Sequence, residues 1–142
     1  KIMSLQPFHL AITVNNIKKA EHFYSKMLGL KKGRSAKNWI DWDFFGHQLV
    51  THLNDGAENQ LAALNLVDGK NVPVPHFGVV LEWSQWHEFA EHLQANNIEF
   101  IIKPHIRFKG EAGEQATMFF ADPAQNMLEF KAFKDKSLLF AK

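Results

Sequence analysis

Four side chains that can bind a metal ion lie at corresponding places in the two halves of this sequence. Each half contains one candidate in its first apolar segment and one in its last, with residues 51–53 aligned on 128–130. The four candidates are His9, His52, His76 and Glu129. Imidazole and carboxylate groups bind divalent ions such as zinc and iron, but these four are far apart in sequence. They could surround one ion only if the fold brings the two halves face to face.

Each of these side chains also has an ordinary structural interpretation. The chain has eight histidines, and a histidine on a strand is more often a hydrogen-bonded core or surface residue than a ligand. Glu129 lies among apolar residues, where an unpaired carboxylate would be costly to bury. It could instead face solvent, or be neutralised by Lys131, which alternation places on the same face of the strand. The metal site is therefore a hypothesis that depends on the arrangement of the strands.

The elements that would carry these residues follow one order in the first half. A short segment rich in β-branched residues, 8–14, precedes an amphipathic helix that begins after Asn16 and ends at Gly29. A hairpin follows at 39–53. A weakly alternating segment at 30–36 could add one strand, which would make the order βαβββ.

The second half repeats this order. The predicted strand, helix and three further strands lie at 76–81, 85–94, 98–102, 117–120 and 127–133. Because each half would leave one open sheet face, the two halves are expected to cover each other. The sequence therefore predicts an α+β fold in which two βαβββ modules form a cupped mixed sheet.

The length of 142 residues suits one domain. We expect residues 1–142 to form a single domain with an internal repeat. Its first module is predicted at 7–54 and its second at 76–133. The turn-rich segment 55–75 is predicted to be a linker, long enough to carry a lid or binding loop.

Composition excludes several classes of protein. The chain has no cysteine, so zinc–thiolate sites and disulfides are excluded, and any metal depends on histidine and carboxylate ligands. A formal net charge of +1 gives little attraction to nucleic acid. Hydrophobic residues make up 46% of the chain, enough for a packed core, yet no apolar run has the length of a membrane span. We therefore expect a soluble, cytoplasmic protein without nucleic-acid or membrane partners.

Four stretches of the sequence resemble one superfamily. They are PFHLAITVNNIKKAEHFYSKMLGL, FGHQLVTHL, VPHFGVVL and ATMFFADPAQNMLEFKAF. Together they resemble the vicinal oxygen chelate superfamily, which includes glyoxalase I, fosfomycin and bleomycin resistance proteins and type I extradiol dioxygenases. The pattern DP-x-x-N-x-x-E, which runs from Asp122 to Glu129, is a specific mark of it. The stretches DFFGHQLV, VPVPHFGVVLEW and GEQATMFF are most similar to an extradiol-dioxygenase-like group.

The resemblance implies a metal site and a set of partners. His9, His76 and Glu129 match the family's metal ligands, and His52 matches a fourth ligand found in glyoxalases. Two histidines and one carboxylate form the facial triad of non-haem Fe(II), with positions left open for two vicinal substrate oxygens and O₂. Fe²⁺ is thus the expected metal, with Zn²⁺, Mn²⁺ and Ni²⁺ as alternatives. Family members usually form homodimers, so the expected partners are a second copy and a small-molecule substrate.

Two departures from the dioxygenase pattern leave the reaction open. Phe119 stands where dioxygenases usually have a tyrosine. Dioxygenases also use a second-sphere histidine shortly before the metal ligand of the second half, and residues 54–75 contain no histidine. Proton transfer would then fall to His52, His105 or Glu114. The resemblance implies metal-dependent chemistry on a small molecule held through neighbouring oxygens, with extradiol-dioxygenase-like activity as the first expectation. A glyoxalase-like isomerase or lyase and a non-catalytic protein of the bleomycin-resistance type are the alternatives.

Overall fold

Two compact units, Lys1–Gln60 and Leu61–Lys142, make up the computed structural model of this chain. We refer to them as unit 1 and unit 2. The structure describes residues 4–54, 63–67 and 70–142, with the side chains of 63–67, 70 and 71 left out of the description. Each unit has its own mixed sheet. Unit 1 has the order βαβββ, and in unit 2 two short strands, one helix and three strands follow an added hairpin, which confirms the predicted α+β class.

Unit 1 contains a four-stranded sheet and one helical segment. Its strands are β1 (His9–Val14), β2 (Lys31–Ala36), β3 (Trp39–Phe44) and β4 (His47–Leu53). Their spatial order is β1-β4-β3-β2, with β1 parallel to β4 and the other pairs antiparallel. Between β1 and β2, helix α1 (Ile17–Glu21) continues as a π-helical turn over His22–Met27.

The helical segment of unit 1 begins and ends where the sequence predicts. The Asn16 side chain accepts a hydrogen bond of 3.0 Å from the backbone N–H of Lys19, which caps the first turn. Gly29 adopts a left-handed φ of +76°, which ends the helix at a residue without a Cβ. The apolar face of the segment is buried together with one face of the sheet; its members include Ala20, Phe23, Tyr24, Leu28, Ile40, Trp42 and Leu49.

The weakly alternating segment at 30–36 is a strand. It forms β2 at the edge of the unit 1 sheet, and all six of its residues are exposed. A strand that buries neither face has no need of alternating apolar residues, which explains why the pattern was weak.

Unit 2 begins with a hairpin in the segment predicted to be a linker. Its strands are β5 (Ala63–Val67) and β6 (Lys70–Val74), paired antiparallel in a separate two-stranded sheet. The sequence interpretation missed these strands because Pro73 reads as punctuation. A proline is accommodated in a strand that lies at a sheet edge, as both strands of a two-stranded sheet do.

The main sheet of unit 2 carries the second repeat. Its strands are β7 (His76–Phe77), β8 (Val80–Leu81), β9 (Phe100–Arg107), β10 (Gln115–Ala121) and β11 (Met127–Phe133), with helix α2 (Trp83–Ala95) between β8 and β9 and a 3₁₀ turn at Lys136–Leu138. The spatial order is β7-β11-β10-β9, and β8 also pairs with β11. Both β7 and β8 run parallel to β11, whereas β9, β10 and β11 are antiparallel.

Alternation along β11 divides its side chains between two faces of the sheet. Phe130 faces α2, where the ring of Phe89 packs edge-on against it at 4.9 Å and Trp86 Nε1 donates a 2.8 Å hydrogen bond to its carbonyl oxygen. Because successive side chains point to opposite faces, Glu129 and Lys131 lie on the face away from α2. Helix α2 and Glu129 therefore lie on opposite faces of the unit 2 sheet.

Candidate metal site

His76 and Glu129 come together on unit 2. Parallel pairing of β7 with β11 sets His76 opposite Met127, so that Glu129 lies two residues further along the neighbouring strand. The histidine Nε2 is 3.2 Å from Glu129 Oε2. The side chain of Glu129 is only 10% exposed and that of His76 is 30% exposed. Two of the predicted ligands are thus neighbours, with Glu129 largely buried and His76 closer to solvent.

The orientation of His76 turns its Nε2 towards the carboxylate. Its Nδ1 lies 2.6 Å from the carbonyl oxygen of Pro73, and because a carbonyl only accepts, Nδ1 carries the proton. In the neutral ring Nε2 is then an acceptor, as is Glu129 Oε2. Two acceptors this close need a proton or a cation between them. Ligands about 2.0 to 2.3 Å from one ion are about 3 to 3.5 Å from each other, so the observed spacing fits a shared metal.

The second oxygen of the Glu129 carboxylate is held by neighbouring side chains. Thr117 Oγ1 donates a 2.9 Å hydrogen bond to Oε1, and Lys131 Nζ lies 3.5 Å from the same oxygen. The carboxylate is therefore neither solvent-facing nor unpaired, and Lys131 contacts it as alternation allowed. With Oε1 engaged, Oε2 is the oxygen left for a metal. The sequence did not indicate a role for Thr117. Only the strand pairing, in which Thr117 of β10 lies opposite Lys131 of β11, could have suggested one.

Phe119 forms an apolar wall beside this pair. Its ring packs edge-on against that of His76, with centroids 4.8 Å apart. It is 2% exposed and clusters with Val72 and Ile102. Since Phe119 is also the register partner of Glu129, a phenylalanine here supplies contact area but no hydroxyl group.

Asp122 explains the DP-x-x-N part of the sequence pattern. Its buried carboxylate accepts hydrogen bonds from the backbone N–H groups of Ala124 and Asn126, at 2.9 and 2.8 Å, and from Asn126 Nδ2 at 2.9 Å. These bonds fix the turn between β10 and β11. This turn sets the register between β10 and β11, which brings Glu129 beside Thr117.

We expect Asp122→Ala to destabilise the protein by about 2 to 4 kcal/mol, because it leaves buried donors of the turn without an acceptor. Thermal or urea unfolding followed by circular dichroism measures this effect. Asp135→Ala is the matched control, since the exposed Asp135 caps Ser137 in the C-terminal 3₁₀ turn. Equal, small losses in the two variants would show that the Asp122 turn does not contribute to stability as described.

His9 lies in unit 1, at the start of β1. Its ring Nδ1 is 2.9 Å from Gln48 Oε1, and the residue is exposed. Within neither unit do the described His, Asp and Glu residues include a group of three or more able to hold a metal ion. The pair on unit 2 therefore needs a further ligand, and His9 as that ligand stays a prediction.

His52 is far from His9 along the unit 1 sheet. His9 pairs with Gln48, whereas His52 pairs with Thr13 at the other end of β1. Four residues of strand separate the two positions, on the order of 13 Å. His9 and His52, both in unit 1, therefore cannot bind the same ion.

The pairing register also corrects the alignment of the two halves. In unit 2, Glu129 lies two residues beyond the position paired with His76. In unit 1, Val50 lies two residues beyond the position paired with His9. Val50 therefore matches Glu129, and the alignment that matched His52 with it was wrong by two residues. The apolar patterns of the two strands fit either alignment because side-chain alternation repeats every two residues.

The other candidates for proton transfer, His105 and Glu114, make their described hydrogen bonds and ion pairs with residues other than His76 and Glu129. His105 is the register partner of Thr117 on β9, and its Nδ1 is 3.1 Å from the carbonyl oxygen of Lys103. Glu114 is buried, accepts a 2.8 Å hydrogen bond from the backbone of Gly110 and lies 3.7 Å from Lys134. Glu114 thus holds the loop before β10, while a catalytic role for His105 stays a prediction.

Comparison with known proteins identifies the family. Residues 6–130 match the Glyoxalase/Bleomycin resistance protein/Dioxygenase superfamily. A glyoxalase/bleomycin resistance protein/dioxygenase from Alicyclobacillus acidocaldarius, known from its crystal structure, is 31% identical, with 95% of this chain and 96% of that chain covered and a TM-score of 0.78. No curated protein matches the sequence.

Two more distant crystal structures share the fold. The fosfomycin resistance protein FosX from Listeria monocytogenes is 16% identical, covers 93% of this chain and 94% of its own, and has a TM-score of 0.64. A glyoxalase/dioxygenase from Nostoc punctiforme is 14% identical, with coverages of 95% and 100% and a TM-score of 0.68. No helix in the described part of the chain has the length and hydropathy needed to cross a lipid bilayer. The chain belongs to the glyoxalase/bleomycin resistance protein/dioxygenase superfamily.

Proposed function

We propose that this chain is a metal-dependent enzyme acting on a small molecule held through two neighbouring oxygens, with extradiol ring cleavage as the leading reaction. The observation that carries the proposal is the His76–Glu129 pair, in which Nε2 and Oε2 face each other at 3.2 Å. His9 is the proposed third ligand, and Fe²⁺ is the proposed metal, with Zn²⁺, Mn²⁺ and Ni²⁺ as alternatives. Three protein ligands of this kind form a facial triad with open positions for substrate.

The chain's own residues would prepare the site for such a reaction. A bound divalent ion would supply Lewis-acid polarisation of the substrate oxygens and, as iron, access to O₂. The Pro73 carbonyl holds the proton on His76 Nδ1, which keeps Nε2 available as a ligand. Thr117 fixes the carboxylate of Glu129, and Phe119 presents an apolar surface that suits a flat ring.

The unit 1 register favours dioxygenation over a glyoxalase-type site. A glyoxalase-like site fills a fourth position with a protein ligand, whereas a dioxygenase triad keeps it open. The position in unit 1 that matches Glu129 is Val50, whose side chain has no ligand atom. This supports a site with three protein ligands.

Phe119 favours the second candidate, an isomerase or lyase. It lacks the hydroxyl that the corresponding tyrosine gives to dioxygenases, and such a reaction needs a proton donor and acceptor rather than O₂. We propose His52 and His105 as the residues that move protons in either reaction. The family resemblance also supports a homodimer in the cytoplasm as the assembly and location.

The leading reaction is tested by O₂ consumption. Protein purified without oxygen and loaded with Fe²⁺ is expected to consume one O₂ per molecule of a catechol substrate, with a ring-opened product visible by its absorbance. The same protein without metal is the control. Conversion of a hemithioacetal or opening of an epoxide without O₂ consumption would favour the isomerase or lyase instead. Metal-loaded protein that performs neither reaction would favour a non-catalytic binding protein.

A further inference from the structure

Lys131 lies beside the carboxylate proposed to bind the metal, and the chemistry proposed above does not use it. It follows Glu129 by two residues on β11, on the same face of the sheet. Its Nζ is 3.5 Å from Glu129 Oε1. The Lys131 side chain is 36% exposed, against 10% for Glu129, so it extends over the carboxylate from the solvent side.

The charge of Lys131 is balanced only while the carboxylate has no metal. In that state its ammonium group offsets the negative charge of Glu129, which is largely buried. If a divalent ion binds to Glu129 and neutral imidazoles, as the proposed function requires, the ion alone exceeds the negative charge of the carboxylate. Lys131 then adds a further positive charge at the edge of the same site. A substrate that chelates through two oxygens offsets only part of this excess.

We propose that Lys131 recognises an acidic group on the substrate, and that the substrate is an aromatic vicinal diol carrying a carboxylate. The Cα of Lys131 lies one register row along β11 from that of Glu129, about 7 Å away. Its Nζ is 3.5 Å from Glu129 Oε1, and the flexible four-carbon stem lets it turn away from that oxygen when a metal neutralises the carboxylate. A carboxylate across an aromatic ring from the two hydroxyls would reach Lys131 while the hydroxyls remain at the His76–Glu129 pair. The wall formed by Phe119 beside His76 offers the ring an apolar contact.

The test compares two probes, 3,4-dihydroxybenzoate and catechol, on protein loaded with Zn²⁺, so that binding is measured without turnover. Isothermal titration calorimetry gives both dissociation constants for the wild type and for Lys131→Met. We expect Lys131→Met to weaken dihydroxybenzoate binding about tenfold or more while changing catechol binding less than about twofold. The ratio of the two dissociation constants is compared between the wild type and Lys131→Met. This comparison cancels the effect that the carboxylate of dihydroxybenzoate has on metal chelation by its hydroxyls.

Two further variants separate recognition from a general effect of charge. Lys131→Arg keeps the positive charge and is expected to restore the preference for dihydroxybenzoate. Lys103→Met removes an exposed lysine from β9 and is expected to leave both constants unchanged. A parallel loss of both probes in Lys131→Met, or a wild type without the preference, would overturn the assignment of Lys131.

Metal content, measured first in every variant, keeps this result distinct from the proposed function on which it rests. Zinc bound at one ion per site with no probe preference overturns the role of Lys131 alone. Absence of bound zinc in the wild type overturns both the metal-dependent function and the inference. A drop in zinc only in Lys131→Met would mean that Lys131 supports the metal site rather than the substrate.

Discussion

Glu129→Gln and His76→Ala are expected to lower metal content about tenfold or more while leaving the fold intact. Each change removes one of two ligand atoms that lie 3.2 Å apart, and the glutamine keeps an oxygen for the hydrogen bond from Thr117. A ligand that binds only the folded state stabilises it by about 2.7 kcal/mol at a hundredfold excess over its Kd. The rise in melting temperature caused by Fe²⁺, Mn²⁺ or Zn²⁺ in the wild type should therefore disappear in both variants.

Metal analysis and thermal unfolding with and without a chelator measure these effects. Glu88→Gln and His92→Ala, two changes at exposed positions of α2, are the matched controls and should behave like the wild type. Because protons compete with metals for imidazole nitrogen, the rise in the wild type should be larger at about pH 7.5 than at about pH 5. Unchanged metal content in His76→Ala would exclude this residue as a ligand. Loss of circular dichroism on chelation would show that the metal is structural.

Gly78→Ala is expected to cost more than about 3 kcal/mol of stability, or to prevent folding of unit 2. A Cβ at Gly78 would lie 1.5 Å from the backbone oxygen of Glu129 and 2.6 Å from its carbonyl carbon. Neither is a flexible side-chain end, so β11 itself would have to shift. That shift would displace the carboxylate of Glu129 from His76 and Thr117.

Soluble yield, far-ultraviolet circular dichroism and urea unfolding measure this loss, and metal content reports on the site. Gly33→Ala is the matched control, because a Cβ there meets Asp41 Cβ at 3.3 Å, which a small adjustment of the edge strand β2 relieves. A Gly78→Ala variant as stable and as rich in metal as Gly33→Ala would contradict the close approach of the two backbones. Position 11, which matches Gly78 in unit 1, is an alanine paired with Val50, so the constraint belongs to unit 2 alone.

Local features of the fold were predictable because the groups that fix them are close in sequence. Asn16 and Gly29 bound the first helical segment through a cap and a left-handed residue, both within one turn of its ends. The carboxylate of Asp122 closes a turn with residues two and four positions later. The pattern DP-x-x-N-x-x-E at residues 122–129 could be recognised from the sequence because its members are close together along the chain.

Two parts of the fold carried too weak a pattern. The apolar pattern does not decide whether residues 30–36 form a strand, and it predicts a linker where the structure has the hairpin of β5 and β6. An exposed strand such as β2 does not need apolar alternation. In the hairpin, Pro73 is a residue that usually marks a turn or a strand end, so β6 is not recognised as a strand. The hairpin also supplies the Pro73 carbonyl that orients His76, a contact that no residue pattern indicated.

The sequence by itself determined the α+β class, the helices and most of the strands, and the candidate residues His76 and Glu129. The tertiary structure decided which side chains meet, namely His76 with Glu129 and Glu129 with Thr117, and it replaced His52 by Val50 as the match to Glu129. The physical reason is the period of a strand. A shift of two residues between neighbouring strands leaves the same side chains on the buried face, so the apolar pattern cannot distinguish the two registers. Backbone pairing distinguishes them because each hydrogen-bonded position has one partner.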